Sequence, residues 1–266
     1  MSDPRPVGVF DSGIGGLTVL AAIRRQLPHE HYLYLGDTAR LPYGTKSPET
    51  VARYALRAGR FLVKQNIKML VVACNTASAA ALHVLQAALP VPVMGVVLPG
   101  ARVAAHRSRG VVGVIATEST IASSAYSRAV LEQHPGARII SQACPLFVPL
   151  AEEGWFDHEV TRVVAGMYLA PLVAAGVDTV ILGCTHYPLL RDAIAAEFAE
   201  DVVLVDSGDA VAEEVTTYLN EVGKRREEPG GDLRVFVTDT AERFQRIANT
   251  IIPSGLTTLE LVDLPE

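Results

Sequence analysis

The chain has 266 residues, of which 49% are hydrophobic and 20% charged, and its formal net charge is −6. This composition is typical of a globular enzyme with one large or two ordinary domains, and the negative charge argues against binding to nucleic acid or to an anionic membrane. No signal-type apolar region precedes the first strand, and the three cysteines lack the spacing of a disulfide framework. We therefore expect a cytoplasmic protein with free thiols.

Strands and helices alternate along the chain, and several strands are short, apolar and rich in β-branched residues. Such strands are typical of parallel sheets buried on both faces, so the pattern predicts an α/β fold. A longer apolar stretch, residues 163–177, is too short for a membrane span and predicts a buried helix that Pro171 could kink. In chain order, the predicted strands are 7–10, 31–35, 70–73, 91–96, 112–115, 180–183, 202–205, 234–237 and 257–262. The predicted helices include one that ends at residue 27, one that begins at Pro48 after a Ser47 cap, one over 78–89 and one over 241–251.

Two internal similarities indicate that the chain consists of two related halves. The segment at 7–10 (VGVF) is followed 105 residues later by VGVI, and the strand before Cys74 is followed 110 residues later by one before Cys184. We expect a first domain formed by 1–97 with 208–266, and a second domain formed by 98–207. The crossing between them is expected at Leu98-Pro99-Gly100. A polar, linker-like segment at 223–232 leads into the C-terminal elements, which should complete the first domain.

Thiols and polar side chains are concentrated where predicted strands end. In open α/β sheets, ligands bind beyond the carboxyl ends of the strands, so each half places one cysteine where a ligand would lie. A thiol that faces a helix N-terminus should have a lowered pKa, because the partial positive charge there stabilises the thiolate. One thiol could then remove a proton on one side of a substrate while the other returns a proton from the opposite side.

The residues around the cysteines suit an amino acid, which carries both a cation and a carboxylate. Asp11 could hold the ammonium group or orient a thiol. His186 and a carboxylate from Glu152 or Glu153 could give the two thiols different pKa values. The candidate donors to carboxylates are Ser12, Asn75, Thr76 and Thr185. Taken singly, each of these residues could instead be an ordinary cap or turn residue.

The glycine-rich turn at 11–16 also allows a dinucleotide-binding interpretation, since Asp37 lies where a ribose-binding acid would be expected. Two details disfavour this interpretation. Thr18 occupies the position of the third glycine, and Asp11 would repel a pyrophosphate.

Other uses of the cysteines stay open. A structural zinc site would need a C-x₂₋₄-C spacing that the chain lacks, although Cys74, Cys184 and His186 could converge. A cysteine hydrolase could use Cys184 with His186 as its base, which leaves Cys74 without a role. A binding protein without enzymatic activity could use the same residues to hold an amino acid. Cys144 is most simply a small core residue.

Five segments resemble, in the same order, the signature motifs of bacterial glutamate racemases. They are 9–19 (VFDSGIGGLTV), 41–44 (LPYG), 73–78 (ACNTAS), 144–149 (CPLFVP) and 182–190 (LGCTHYPLL). The resemblance implies a racemase with neither cofactor nor metal that interconverts L- and D-glutamate, in preference to aspartate, and supplies D-glutamate for peptidoglycan. It also implies two pseudo-symmetric α/β domains with the active site in the cleft between them. Glutamate is the implied partner, no nucleic acid or membrane is expected, and a homodimer is left open.

The resemblance assigns the two proton transfers to Cys74 and Cys184, on opposite faces of the substrate Cα. Cys74 would take the proton from D-glutamate and Cys184 from L-glutamate. Asp11 and His186 would assist the neighbouring thiols. Glu152 would be a further catalytic carboxylate, with the adjacent Glu153 as an alternative. The implied substrate contacts are Asp11, Ser12, Tyr43, Gly44, Asn75, Thr76, Thr185 and His186.

Overall fold

The computed structural model describes residues 2–239, 241–252, 256 and 258–264. The strands are β1 (Val7–Asp11), β2 (Tyr32–Gly36), β3 (Met69–Val72), β4 (Val93–Gly95), β5 (Val111–Ala116), β6 (Arg138–Ala143), β7 (Thr179–Gly183), β8 (Val203–Asp206), β9 (Leu233–Val237) and β10 (Leu259–Leu261). The helices are α1 (Gly16–Gln26), α2 (Pro48–Lys64), α3 (Asn75–Ala88), α4 (Val97–Arg107), α5 (Glu118–Ser123), α6 (Ala125–Gln133), α7 (Phe147–Glu152), α8 (Glu159–Ala174), α9 (Arg191–Ala195), α10 (Ser207–Glu221) and α11 (Ala241–Ile251).

The strands form two parallel sheets, which confirms the predicted α/β fold. The first sheet has the order β10-β9-β2-β1-β3-β4, and the second has the order β6-β5-β7-β8. The four strands β2-β1-β3-β4 of the first sheet thus have the same order as β6-β5-β7-β8 of the second. The internal similarity of the sequence therefore corresponds to a repeated strand order.

The register of the strands makes the two cysteines equivalent. Gly8 in β1 is paired with Leu70 in β3, and Gly113 in β5 is paired with Val180 in β7. Leu70 and Val180 are 110 residues apart, the same separation as Cys74 and Cys184. Each cysteine therefore lies at the carboxyl end of the same strand of its sheet.

Helices cover both faces of each sheet and bury the apolar strands. In the first sheet, α1, α10 and α11 pack on one face, and α2 and α3 pack on the other. In the second, α4 and α6 pack on one face, and α7, α8 and α9 pack on the other. Burial of each large apolar side chain contributes about 1.5–3 kcal/mol, so these layers hold the strand ends in fixed positions.

One predicted boundary was wrong at the end of the first sheet. Helix α3 begins at Asn75 rather than at residue 78, because the Cys74 sulfur caps it by accepting from the Ala77 backbone N–H at 3.4 Å. The expected crossing at 98–100 lies inside helix α4. Pro99 is tolerated there because the first turn of a helix needs no backbone donor.

The apolar stretch at 163–177 does not form a wholly buried helix. It lies largely in α8, whose residues Ala165, Leu169 and Leu172 are buried. On the opposite side of α8, Val163 is 57% exposed and Met167 is 75% exposed. The composition overestimated burial, since only one side of this helix packs against the sheet. Within the described part of the chain, no helix is long and apolar enough to span a membrane.

The C-terminal elements extend the first sheet. β9 pairs with β2, and β10 pairs with β9 at the edge. The predicted last strand is shorter than expected, and its first residue, Thr257, lies outside the described residues. The expected division of the chain at residues 97 and 207 stays a prediction.

The polar segment at 223–232 is anchored rather than loose. The Glu30 carboxylate accepts from the Lys68 ammonium at 2.6 Å and from the Arg226 backbone N–H at 2.8 Å. Lys68 also donates to the Lys224 carbonyl at 2.9 Å. This buried ion pair ties the segment to the edge of the first sheet opposite the cysteines.

Candidate active site

A cavity of about 250 Å³ lies where the carboxyl ends of the two sheets face each other. Of the residues singled out in the sequence, those that line it are Ser12, Tyr43, Gly44, Cys74, Asn75, Thr76, Glu152, Cys184, Thr185 and His186. Asp11 is buried beside this cavity without lining it. The fold therefore brings together residues from segments that are far apart in the chain.

The Cys74 thiol sits at the junction between β3 and α3. Its sulfur donates to Ser12 Oγ at 3.5 Å and accepts from the N–H of Ala77. Burial raises the pKa of Cys74 to about 12, and the nearby Asp11 carboxylate adds to the rise. The lowered pKa expected from the helix N-terminus was therefore wrong for this thiol, because loss of hydration and a like charge outweigh the two hydrogen bonds.

Asp11 ends β1 and is fully buried. One carboxylate oxygen, Oδ2, accepts from the Gly13 backbone N–H at 2.9 Å. The other, Oδ1, has no hydrogen-bond partner among the residues that the structure describes. Burial raises the pKa of Asp11, against the opposing influence of His186. An unpartnered buried acceptor is costly, and a cationic group would satisfy it.

Cys184 has a different environment, which His186 dominates. The distance from Cys184 Sγ to His186 Nδ1 is 3.8 Å, and that from His186 Nε2 to Glu152 Oε1 is 3.5 Å. Burial disfavours the imidazolium, but Cys184 and Glu152 outweigh burial and raise the pKa of His186 to about 10.

The structure separates the two neighbouring glutamates. Glu152 lines the cavity and faces His186, whereas Glu153 is exposed. Both follow from helix geometry, because adjacent residues at the end of α7 point in different directions.

Tyr43 contributes to the cavity from a 3-10 turn over Tyr43–Thr45, but its hydroxyl is already engaged. That hydroxyl donates to Asp37 Oδ2 at 2.7 Å. Asp37 is buried and also accepts from Arg40 at 2.8 Å and from Thr238 at 3.0 Å. A carboxylate that is occupied in this way is not placed to bind a ribose, which disfavours the dinucleotide interpretation.

Thr117, which was not among the predicted site residues, lines the cavity from the second half. Its hydroxyl lies 3.0 Å from the hydroxyl of Thr76 and 3.0 Å from that of Thr120. The hydroxyls of Thr76 and Thr120 are 3.1 Å apart. A signal for Thr117 was present, because it follows β5 as Ser12 follows β1, at the same offset of 105 residues.

Two glycines allow the halves to approach closely at the cavity. A methyl group at Gly15 would lie 2.4 Å from Thr185 Oγ1 and 2.7 Å from His186 Nδ1. One at Gly44 would lie 2.7 Å from Thr117 Cβ. A larger side chain at either position would collide with these residues of the other half.

Cys144 belongs to the core rather than to the cavity. It is fully buried, and burial raises its pKa to about 12. The residues that follow it do contribute, since Pro145, Val148 and Pro149 form an apolar wall of the cavity. Within the described residues, no group of three histidine, cysteine, aspartate or glutamate side chains is arranged to hold a metal ion.

Comparison with known proteins agrees with the fold. Residues 8–215 match the family described as Asp/Glu/Hydantoin racemase. A glutamate racemase of Geobacter metallireducens is 52% identical over 255 residues, which cover 95% of this chain and 94% of that protein. The chain therefore belongs to the aspartate/glutamate/hydantoin racemase family, whose members are isomerases.

Solved structures show the same two-sheet architecture. Glutamate racemase RacE1 from Bacillus anthracis superposes with a TM-score of 0.95 at 40% identity and covers 98% of both chains. The glutamate racemase of Francisella tularensis in complex with D-glutamate gives a TM-score of 0.93 at 36% identity and also covers 98% of both chains. Of these two structures, that of the Francisella tularensis enzyme contains a small molecule, D-glutamate.

Proposed function

We propose that the chain interconverts L- and D-glutamate without a cofactor, using Cys74 and Cys184 as the two proton-transferring groups. The observation that carries the proposal is that both thiols lie at equivalent strand ends and line one cavity. Inversion at Cα requires a proton to leave one face and another to arrive at the opposite face. Two thiols on either side of a small cavity match that requirement.

The cavity residues suit the charges of glutamate. Asp11 lies beside the cavity rather than in its lining, and its negative charge there would attract the ammonium group. The carboxylates would be held by donors from both halves, for which we propose Ser12, Tyr43, Gly44, Asn75, Thr76, Thr185 and His186. Similarity to glutamate racemases, one of them solved with D-glutamate, favours glutamate over aspartate.

In the L-to-D direction, the Cys184 thiolate beside His186 takes the Cα proton. The electron pair of the broken C–H bond is delocalised into the α-carboxylate. The Cys74 thiol then donates its proton to the opposite face of Cα, so that Cys74 ends as thiolate and Cys184 as thiol. The raised pKa of Cys74 suits this step, since it keeps Cys74 protonated until the carbanion forms.

The D-to-L direction starts from the state that the L-to-D direction leaves, with the proton on Cys184 and Cys74 as thiolate; Cys74 then takes the Cα proton and Cys184 returns its own to the opposite face. Asp11 is the charge that disfavours the Cys74 thiolate. A substrate ammonium next to Asp11 would cancel this charge and lower the pKa of Cys74, so the substrate would itself help to activate its base. Glu152 would act through His186 by supporting the imidazolium.

General-base catalysis typically accelerates a reaction about 10²–10⁴-fold. That factor removes only a small part of the barrier to deprotonation of so weakly acidic a carbon. The remainder must come from positioning, from exclusion of water and from hydrogen bonds to the carboxylate as it gains enolate character. We propose that closure of the two halves around the substrate excludes water. Unchanged X-ray scattering and hydrogen exchange on addition of D-glutamate would contradict closure.

The wider role follows from the same proposal. D-glutamate produced in the cytoplasm would be supplied to peptidoglycan synthesis. A homodimer also stays a prediction, and sedimentation velocity of the purified protein would decide it.

Proton NMR in D₂O, combined with optical rotation and with no cofactor added, tests the function. We expect D-glutamate to lose its Cα–H signal while it racemises. Cys74→Ala and Cys184→Ala should each abolish racemisation while the circular dichroism spectrum is retained. Full activity in either variant would refute the two-thiol assignment. Exchange of the Cα–H of aspartate, without exchange of that of glutamate, would show that the substrate is aspartate.

If neither amino acid exchanges, a hydrolase or a binding protein would be favoured. A covalent acyl-enzyme detected by mass spectrometry would identify the hydrolase. Binding of glutamate with an unchanged Cα–H signal would identify the binding protein.

A further inference from the structure

Tyr126 is a buried tyrosine that the proposed mechanism does not use. It lies on α6 in the second half and is 2% exposed. Its ring packs against Gly183, the residue directly before Cys184: a methyl group at Gly183 would lie 3.1 Å from Tyr126 Cε2. The same methyl group would lie 2.8 Å from the carbonyl oxygen of Ile115, so little space is left around this segment.

The hydroxyl of Tyr126 reaches the other cysteine segment. It accepts from Asn75 Nδ2 at 2.7 Å, and Asn75 directly follows Cys74. The hydroxyl also lies 2.8 Å from Ser207 Oγ, to which its own proton can be donated. Ser207 is itself held closely, since a methyl group at Gly100 would lie 2.8 Å from its hydroxyl oxygen.

One rigid side chain therefore contacts both segments that carry the thiols. The aromatic ring is rigid, so it holds Gly183, which its edge contacts, at a fixed distance from Asn75, which its hydroxyl contacts. Resting on the proposed two-thiol function, we propose that Tyr126 is a positioning residue that sets the separation of Cys74 and Cys184 across the substrate.

The separation matters because proton transfer is sensitive to distance. Reacting atoms must be about 3–3.5 Å apart, and a displacement of about 1 Å can reduce the rate about 100-fold. A carbanion formed by one thiol must then be protonated by the other before the first thiol returns a proton. If the two thiols are less well aligned, the carbanion persists long enough for the first thiol to exchange its proton with D₂O. Return of a proton on the original face then puts deuterium into the starting enantiomer.

The test is Tyr126→Phe, which removes only the hydroxyl. Tyr32→Phe is the matched control, since Tyr32 is also buried and its hydroxyl donates to the Leu27 carbonyl at 2.8 Å, away from the cavity. For each variant, kcat, KM and Tm are measured. In D₂O, deuterium that enters the remaining starting enantiomer is compared with deuterium in the inverted product.

We expect Tyr126→Phe to lower kcat about tenfold with KM changed less than about threefold, because alignment rather than binding is affected. The fraction of exchange without inversion should rise at least twofold. Tyr32→Phe should lower Tm and leave kcat and the fraction of exchange without inversion unchanged. Equal kinetics and equal exchange fractions in the two variants would overturn the inference.

If Tyr126→Phe does not fold, Ser207→Ala decides the question. This variant removes the second anchor of the hydroxyl and should also raise the fraction of exchange without inversion. An unchanged fraction would then overturn the inference.

The thiol variants distinguish this failure from that of the proposed function. If Cys74→Ala or Cys184→Ala remains fully active, the two-thiol function fails. If both are inactive but Tyr126→Phe behaves like Tyr32→Phe, only the role of Tyr126 fails.

Discussion

His186 Nδ1 lies 3.8 Å from Cys184 Sγ, whereas the ionisable group that most affects Cys74 is the carboxylate of Asp11. The two thiols occupy equivalent places in the repeated fold but have opposite electrostatic surroundings. His186, whose pKa is raised, faces Cys184, whereas the Asp11 carboxylate adds to the raised pKa of Cys74. The site is therefore symmetric in backbone fold and asymmetric in charge. The predictions for His186 and for Cys74 depend on this asymmetry.

The first prediction concerns the dependence of stability on pH. The pKa of His186 is raised from 6.5 to about 10, so the folded protein binds this proton more tightly than the unfolded chain. Its contribution is fully present below about pH 6.5 and is lost as the pH rises towards 10. We expect the free energy of unfolding to fall between pH 6.5 and 9, and to fall less steeply in His186→Asn. Urea titrations across this range measure both slopes, and equal slopes would contradict the assignment.

The second prediction concerns the reactivity of Cys74. With a pKa of about 12, this thiol should react slowly with iodoacetamide at pH 8, since only about one molecule in ten thousand is ionised. Asp11→Asn removes the adjacent charge and should accelerate the reaction several-fold, although burial remains. The measurement uses a background in which Cys144 and Cys184 are alanine, so that mass spectrometry follows one site. A rate that Asp11→Asn leaves unchanged would show that Asp11 does not control this thiol.

The third prediction concerns the hydrogen bond between Tyr43 and Asp37. Asp37→Asn weakens a charge-assisted bond that holds the turn at Tyr43–Thr45 beside the cavity. We expect KM for D-glutamate to rise about tenfold, which corresponds to about 1.4 kcal/mol. Tyr43→Phe should produce a similar rise, and the double variant should add little because both changes remove the same bond.

Asp178→Asn is the matched control for Asp37→Asn. Asp178 accepts from Ser108 at 2.7 Å, from the Val111 backbone N–H at 3.0 Å and from Thr179 at 2.8 Å, before the start of β7 and away from the cavity. It should lower Tm with KM unchanged. If Asp37→Asn behaves in the same way, the bond serves stability alone.

The fourth prediction concerns the close approach of the two halves. Gly15→Ala would bring a methyl group to 2.4 Å from Thr185 Oγ1 and 2.7 Å from His186 Nδ1, so that these side chains must move. We expect kcat/KM to fall about 100-fold, because displacements of about 1 Å have effects of this size. Gly136→Ala is the control, since a methyl group there meets nothing within 4 Å. Comparable activity of the two variants would show that the contact at Gly15 is not needed.

The local pattern of the sequence was sufficient to predict the places of the thiols and nine of the ten described strands, but it missed β6. Short apolar β-branched runs are typical of buried parallel strands, and parallel strands place their carboxyl ends at one edge. Even the equivalence of Cys74 and Cys184 was visible, since their spacing equals that of the strand register. The resemblance of five motifs indicated the glutamate racemase family, but it did not predict which residues of the two halves contact each other.

The sequence by itself determined the α/β alternation, the repeated halves and the position of one thiol at each strand end, because these depend on neighbours along the chain. Only the tertiary structure decided the rest. The pKa of Cys74 rises because packing removes water and Asp11 lies near it, which reverses the effect expected from its helix. Thr117 reaches the cavity, and Tyr126 joins the two thiol segments, through contacts between residues that are distant in sequence. Such contacts depend on how the sheets pack together, and no local pattern encodes that packing.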